Sequence, residues 1–147
     1  MDVVTYRPEL LHNLKYRVLN ERLAVCRLAG DAPVPSWALD AKLFSVVRSV
    51  VRTAEELSIV CAEADCAGNS LGPGAMVEGG WVALQLQGPF PFSLTGVLSS
   101  FLQPLAEAQI PIFAVSTFDT DYVLIKYADL DKAVSALGAA GHERIGP

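Results

Sequence analysis

A chain of 147 residues, 52% of them apolar, is long enough to bury one core or two small ones and too apolar to stay disordered. Its formal net charge is −5 and it has no run of Lys or Arg, which argues against a surface built for nucleic acid or anionic membrane. No apolar run reaches the length of a membrane span, and the opening "MDVVTYRPELLHNLKYRVLNERL" lacks the apolar segment of a secretion signal, so a cytoplasmic location is expected.

Residues 1–20 read as an N-terminal extension. Leu10, Leu14 and Val18 stand four apart behind Pro8, a weak helical stripe. "LAVCRL" (23–28) is a short apolar strand ended by the turn-rich "AGDAPVP". "SWALDAK" predicts a helical turn capped by Ser36, and "FSVVRSVVRT" and "LSIVCAE" predict two strands. The brief polar break between them predicts an antiparallel hairpin. Arg48 and Arg52 are expected as solvated edge charges.

Residues 67–79 form a glycine-rich linker without the GK[ST] of a phosphate-binding loop. "WVALQLQ" (81–87) alternates, predicting a half-buried strand with Val82, Leu84 and Leu86 on one face. Residues 93–109 carry the strongest helical pattern: Leu94, Val97, Leu98, Phe101, Leu102, Leu105 and Ala108 in one stripe, with Ser93 as N-cap. Gly96 and Pro104 both oppose that helix and need a reason. "IPIFAVS" (110–116) and "DYVLIK" (121–126) are strands, and "ADLDKAVSALGAAG" (128–141) is a helix with Leu130, Val134 and Leu137 on one face and a glycine stop.

From residue 81 the order is β-α-β-β-α, one strand short of the ferredoxin-like βαββαβ plan. A strand from the N-terminal half, or from a second chain, must complete that sheet. The fold class is therefore α+β with antiparallel sheets and helices on one face.

Chemistry is sparse. Cys26, Cys61 and Cys66 lie in or beside apolar runs and read as buried thiols; the four-ligand spacing of a zinc site is missing, and no metal or cofactor is expected. No nucleophile–base motif is present, and a catalytic role is not expected. One segment stands out. "STFDTDY" (116–122) places two carboxylates, three hydroxyls and two aromatics between two apolar strands. It reads either as a polar hairpin turn or as a ligand site. Trp37 and Trp81 read as core or interface anchors, and His142 has no evident chemical role.

The run "TGVLSSFLQPLAEAQIPIFAVSTFDTDYVLIKYADLDKAVSALGAAGH" resembles an ACT domain. With "RLAVCRLAGDAPVPSWA", "FSVVR" and "ELSIVCAE" before it, the chain is similar to the small bacterial tandem-ACT proteins, and through them to half of the CASTOR-type arginine sensors. The resemblance implies two ferredoxin-like ACT domains in tandem, an N-terminal ACT-like half at 21–66 and a C-terminal ACT domain at 80–142. It implies a regulatory protein that binds an amino acid where ACT domains pair, hence a homodimer acting on a further protein partner. It places the ligand against Leu94, Thr95, Gly96 and Val97, against Thr117, Phe118 and Asp121, and against Pro111 and Ile112 reaching from the paired domain. Where the arginine sensor has a glutamate, this chain has Leu94, which cannot accept from a guanidinium. The alternative is an ACT fold used only for dimerisation or protein interaction, without a ligand.

Overall fold

The computed structural model describes residues 13–40, 46–90 and 95–146. Along them run β1 (Lys15–Ala29), β2 (Ser49–Arg52), β3 (Glu56–Ala62), α1 (Glu63–Ala67), β4 (Met76–Leu86), α2 (Val97–Glu107), β5 (Ile112–Ser116), β6 (Asp121–Lys126), α3 (Leu130–Ala139) and β7 (Glu143–Arg144). Short 3-10 turns occupy Ser36–Leu39 and Tyr127–Asp129. The chain forms two compact units: one is Asn20–Val82, and the other joins the segment ending at Leu19 to the chain from Ala83 onward. No helix among the described residues is long and apolar enough to cross a membrane.

In the unit spanning 20–82, β3 is the middle strand, pairing antiparallel with β1 (Leu23↔Ala62 to Ala29↔Glu56) and with β2 (Ser49↔Val60 to Arg52↔Leu57). Alternation puts Ala24, Cys26 and Leu28 on one face, and the register sets Leu57, Ile59 and Cys61 beside them. These six close a core with Ala38 and Cys66. The β2–β3 hairpin follows the polar break as expected. The Thr53 hydroxyl accepts from the N–H groups of Glu55 (3.2 Å) and Glu56 (3.1 Å).

Three expectations are corrected in this unit. The strand predicted from residue 44 is confined to Ser49–Arg52, and residues 44–45 lie outside the described residues. The turn at Ser36 is capped by Pro35 without a side-chain bond, and Ser36 is its first residue. The two arginines are not simply solvated. Arg48 donates to the Asp40 carbonyl (2.7 Å) and pairs with Asp65 (3.4 Å), while Arg52 donates to the carbonyls of Gly30 and Ala32. Cationic forks here tie down turn carbonyls that the strand edge leaves without ladder partners.

In the other unit, Leu14, Tyr16 and Val18 are buried while Lys15 and Arg17 are exposed. This is period-two alternation, so residues 15–20 are strand and not the helical stripe expected; residues 1–12 lie outside the described residues. Successive carbonyls of a strand point to opposite sides. The Lys15 carbonyl accepts from Gln87 (2.8 Å), whereas Leu14 and Tyr16 accept from Glu143 and Ile145 (2.8 Å each). The strand order is therefore β7-β1-β4-β6-β5, with β7 parallel to β1 at Lys15↔Glu143. The start of β1 is the extra strand that the β-α-β-β-α order required. In β4, Ala83 is buried as well as Leu84 and Leu86, so the face expected to be open is partly covered, while Gln85 is half-buried and Gln87 exposed.

α2 turns Val97, Phe101 and Leu105 fully inward, while Leu98 and Leu102 are half-buried. It continues through Pro104 without breaking. Pro104 has no N–H for the Ser100 carbonyl four residues earlier. That carbonyl instead meets His142 Nε2 at 3.2 Å, and His142 Nδ1 accepts from the Leu14 N–H at 3.2 Å. Because Nδ1 accepts, Nε2 carries the proton that Ser100 receives. His142 is aimed there by the end of α3. Gly141 adopts φ +94°, the Gly141 N–H reaches the Gly138 carbonyl (3.0 Å), and the His142 N–H reaches the Leu137 carbonyl (2.9 Å). This pair of bonds is the Schellman ending, which the predicted glycine stop supplies. α2 ends in the same way around Gln109, whose φ is +59°.

His142→Ala should remove the ring's bonds to the buried Leu14 N–H and the part-buried Ser100 carbonyl and destabilise by about 2–4 kcal/mol in urea unfolding. Adding Pro104→Ala should recover about 1 kcal/mol of that loss, because Ser100 regains its helical donor. Strictly additive effects would sink this account. Gln109→Gly, at a left-handed position, should raise stability by about 0.5–1 kcal/mol in the same assay.

Candidate functional site

"STFDTDY" folds as the β5–β6 hairpin. Ser116 pairs with Asp121 across the strands, so Thr117–Thr120 are the loop. The Thr117 N–H and hydroxyl both donate to the Thr120 carbonyl, at 2.9 and 3.0 Å. The Thr120 hydroxyl, buried, donates to the Leu86 carbonyl at the end of β4 (2.8 Å). The Asp119 carbonyl accepts from the Phe90 N–H (3.0 Å). The Ser116 hydroxyl donates to Asp121 Oδ1 at 2.5 Å. Most of the polarity of this segment therefore closes the hairpin and fastens it to the end of β4.

Three further features of this unit bear on binding. Phe118 is 80% exposed. Asp121 is half-buried, and Oδ2 is not used by the Ser116 bond. The chain leaving β4 also leads into α2, whose N-cap is Gly96 at φ +84°. That left-handed conformation accounts for a glycine where helix propensity disfavours one. It corrects the Ser93 cap, a residue that lies outside the described ones. Glycine has no side chain to bond the first-turn N–H groups, so the positive end of α2 carries no cap from that position.

The expected ligand residues separate into two places. Thr95 is exposed and Gly96 half-buried at the start of α2, and Thr117, Phe118 and Asp121 lie at the hairpin turn fastened to β4. Leu94 lies outside the described residues. Val97 is buried with 6% exposure, so only its backbone can face a ligand. Pro111 and Ile112 stand at the other end of β5. Ile112 pairs with Ile125 and is four residues from Ser116, about 13 Å at ~3.3 Å per residue. One protomer does not bring Pro111 and Ile112 to the turn. The roles of Ser116, Thr120 and His142 were missed from sequence. The Thr-x-x-Thr spacing of residues 117–120 was the available signal for Thr120, since such hydroxyls bond local backbone in turns.

A separate shallow groove of about 550 Å³ runs along α2, lined by Leu98, Ser99, Leu102, Gln103 and Ala106. None of the expected ligand residues lines it. The spacing of Leu98, Leu102 and Ala106 makes a second apolar stripe beside the buried one.

Comparison with known proteins matches these features to a family. An ACT domain model matches residues 76–139, and a second model, described as an N-terminal domain, matches residues 21–69. No curated protein sequence matches the chain. Among solved structures, protein Atu0741 of Agrobacterium tumefaciens is 35% identical, with 90% of this chain and 92% of that chain covered and a TM-score of 0.77. VC0802 of Vibrio cholerae is 18% identical over 89% of this chain and 92% of its own, with a TM-score of 0.64. The ligand-free regulatory subunit of aspartate kinase from Thermus thermophilus is 18% identical over 83% and 95%, with a TM-score of 0.58. The chain carries an ACT domain, has the mixed α/β fold of regulatory ACT proteins, and belongs to the same family as Agrobacterium tumefaciens Atu0741.

Proposed function

We propose that this protein is a cytoplasmic regulatory sensor whose C-terminal ACT domain binds an amino acid at the end of the sheet where α2 begins and the β5–β6 hairpin turns. One observation carries the reading: Gly96, the N-cap of α2, offers no side-chain bond to the first-turn N–H groups, and the same unit holds a half-buried carboxylate, Asp121, whose Oδ2 lies outside its bond to Ser116. An amino acid zwitterion needs that pair. Its carboxylate takes the first-turn N–H groups of α2, from Val97 on, and its ammonium takes Asp121 Oδ2 by a charge-assisted hydrogen bond. Phe118 and Thr117 flank the side chain. Leu94 in place of an acidic residue favours a small or apolar amino acid over arginine.

Pro111 and Ile112 contribute from a second copy, because within one protomer they stand at the opposite end of β5. Ligand binding then strengthens the contact between two copies, and that change is what a downstream protein reads. The signal leaves as a change in affinity or shape, without a chemical step.

A second reading has its own observation. The groove along α2, with Leu98, Leu102 and Ala106, gives the domain an apolar face suited to dimerisation or a protein partner without any ligand.

Thermal melting against each of the twenty amino acids at millimolar concentration separates the two. A bound ligand at a hundred times its dissociation constant adds about 2.7 kcal/mol of stability. One amino acid, or a chemically related few, should raise the melting temperature, and Asp121→Asn should abolish that rise while the unliganded protein melts within a few degrees of the parent. No shift with any of the twenty would leave the interaction module standing. Light scattering at micromolar concentration should give a dimer, and a monomer with ligand bound would remove Pro111 and Ile112 from the site.

A further inference from the structure

The unit spanning 20–82 contains a second chemical feature, independent of the amino-acid site. The sulfurs of Cys26, Cys61 and Cys66 all lie within 4.8 Å of one another, and all three residues are buried. They come from three elements. Cys26 of β1 pairs with Ile59 and Cys61 of β3 pairs with Ala24, so the two cysteines are diagonal neighbours on one face of the ladder. Cys66, on the one-turn helix that follows β3, supplies the third sulfur and is 7% exposed. Sulfurs no more than 4.8 Å apart have a common centre within about 2.8 Å of each, against ~2.3 Å for a metal–thiolate bond of the zinc type. Each sulfur needs to move by only about half an ångström to share one ion.

We propose that Cys26, Cys61 and Cys66 form a three-thiolate binding site for a soft, three-coordinate trivalent ion of the arsenic(III) class. Three arguments select this chemistry. The donor set is all sulfur, which selects soft ions over Mg²⁺ or Ca²⁺. It stops at three, because the wall of the cluster is Ala24, Leu28, Ala38, Leu57 and Ile59, with Val34, Trp37 and Val50 packed on it, and none of these offers a fourth ligand. Tetrahedral zinc wants four. Charge decides the rest. Three thiolates around a trivalent ion are neutral, whereas zinc would leave one negative charge and copper(I) two in an apolar core. Arsenous acid, As(OH)₃, meets three thiols by forming three As–S bonds and breaking three As–O bonds; each thiol proton leaves with a hydroxyl as water. No oxidant, reductant or counter-ion is needed.

The Trp37 side chain packs against the same cluster, and its indole N–H is buried without an acceptor.

The test uses the full-length, reduced protein and arsenite alone. Native mass spectrometry should show one adduct per chain, heavier by one arsenic less three hydrogens, and arsenite should raise the melting temperature. Replacing one thiol, Cys66→Ser, should weaken binding by about a hundredfold, since a linked third ligand contributes through effective concentration. The wild-type mass needs no variant to be read. An adduct missing fewer than three hydrogens, or no adduct, would show that the thiols are only core packing. A fall in melting temperature would mean that arsenite captures the unfolded chain, and would equally overturn the site. Zinc(II) alone binding more tightly than arsenite would overturn the charge argument.

Discussion

The C-terminal unit depends on one imidazole. His142 is 5% exposed and joins the Ser100 carbonyl of α2 to the Leu14 N–H at the head of β1. Both partners are backbone groups that lack their ordinary mates, Ser100 because Pro104 has no N–H and Leu14 because β1 begins one residue later. Buried backbone groups must be paired, and a ring with one donor and one acceptor satisfies one of each. The ring also packs against Phe101, which stands edge-on to Tyr16. Helix, strand and C-terminal turn are thus fixed at one point. The Schellman ending at Gly141 delivers His142 to it, so a turn residue, a proline and a histidine that look unrelated along the chain belong to a single arrangement.

That arrangement bears on the proposed site at the other end of α2. With its last turns held through Ser100 and its C-terminal carbonyls closed around Gln109, α2 begins at Gly96, which offers no side-chain cap to the first-turn N–H groups. The hairpin presents the complementary case. Ser116, Thr117 and Thr120 consume most of the polarity of the loop, and what they do not consume is half of the Asp121 carboxylate and an exposed Phe118. A segment can close a turn and keep a binding function only if its hydrogen-bonding capacity exceeds what the turn needs. This one has that surplus at Asp121, where a serine occupies Oδ1 alone.

Much of this was legible in the chain. The β2–β3 hairpin, α2, the β5–β6 hairpin and the glycine stop of α3 all followed from periodicity and turn residues, because each is decided by neighbours in sequence. The start of β1 was misread for a definite reason. Leu14 and Val18 are four apart, a spacing that shares a face in a helix and in a strand alike. Tyr16 between them settles it, and it is buried where the ring of Phe101 from α2 packs edge-on against it. Burial of Ala83 on β4 was hidden similarly, since alternation reports one covered face and says nothing of the other. Gly96 pointed to a special backbone, as a glycine in a helical pattern should, but the left-handed angle rather than a ligand is sufficient to require it. The closeness of the three cysteines depends on strand register, which puts Cys61 opposite Ala24 rather than Cys26, and no spacing along the chain encodes that.

The two ends of β5 carry the last step of the argument. A strand is a rigid ruler, and Ile112 and Ser116 are held about 13 Å apart by four residues of it. If Ile112 and Asp121 meet the same small ligand, they cannot belong to the same copy, for no hinge within a five-residue strand brings its ends together. Antiparallel pairing of two copies about a twofold axis does so without deforming either, and it sets the Ile112 end of one β5 against the turn end of the other. Among the described residues β5 is the outermost strand in the order β1-β4-β6-β5, the strand a second copy would meet in such a pairing. A ligand seated at such a junction touches both copies at once, so its binding energy is spent on association. In the proposed dimer that geometry would place the site twice, and a domain of this kind would carry a signal through the strengthening of a contact rather than through a chemical step.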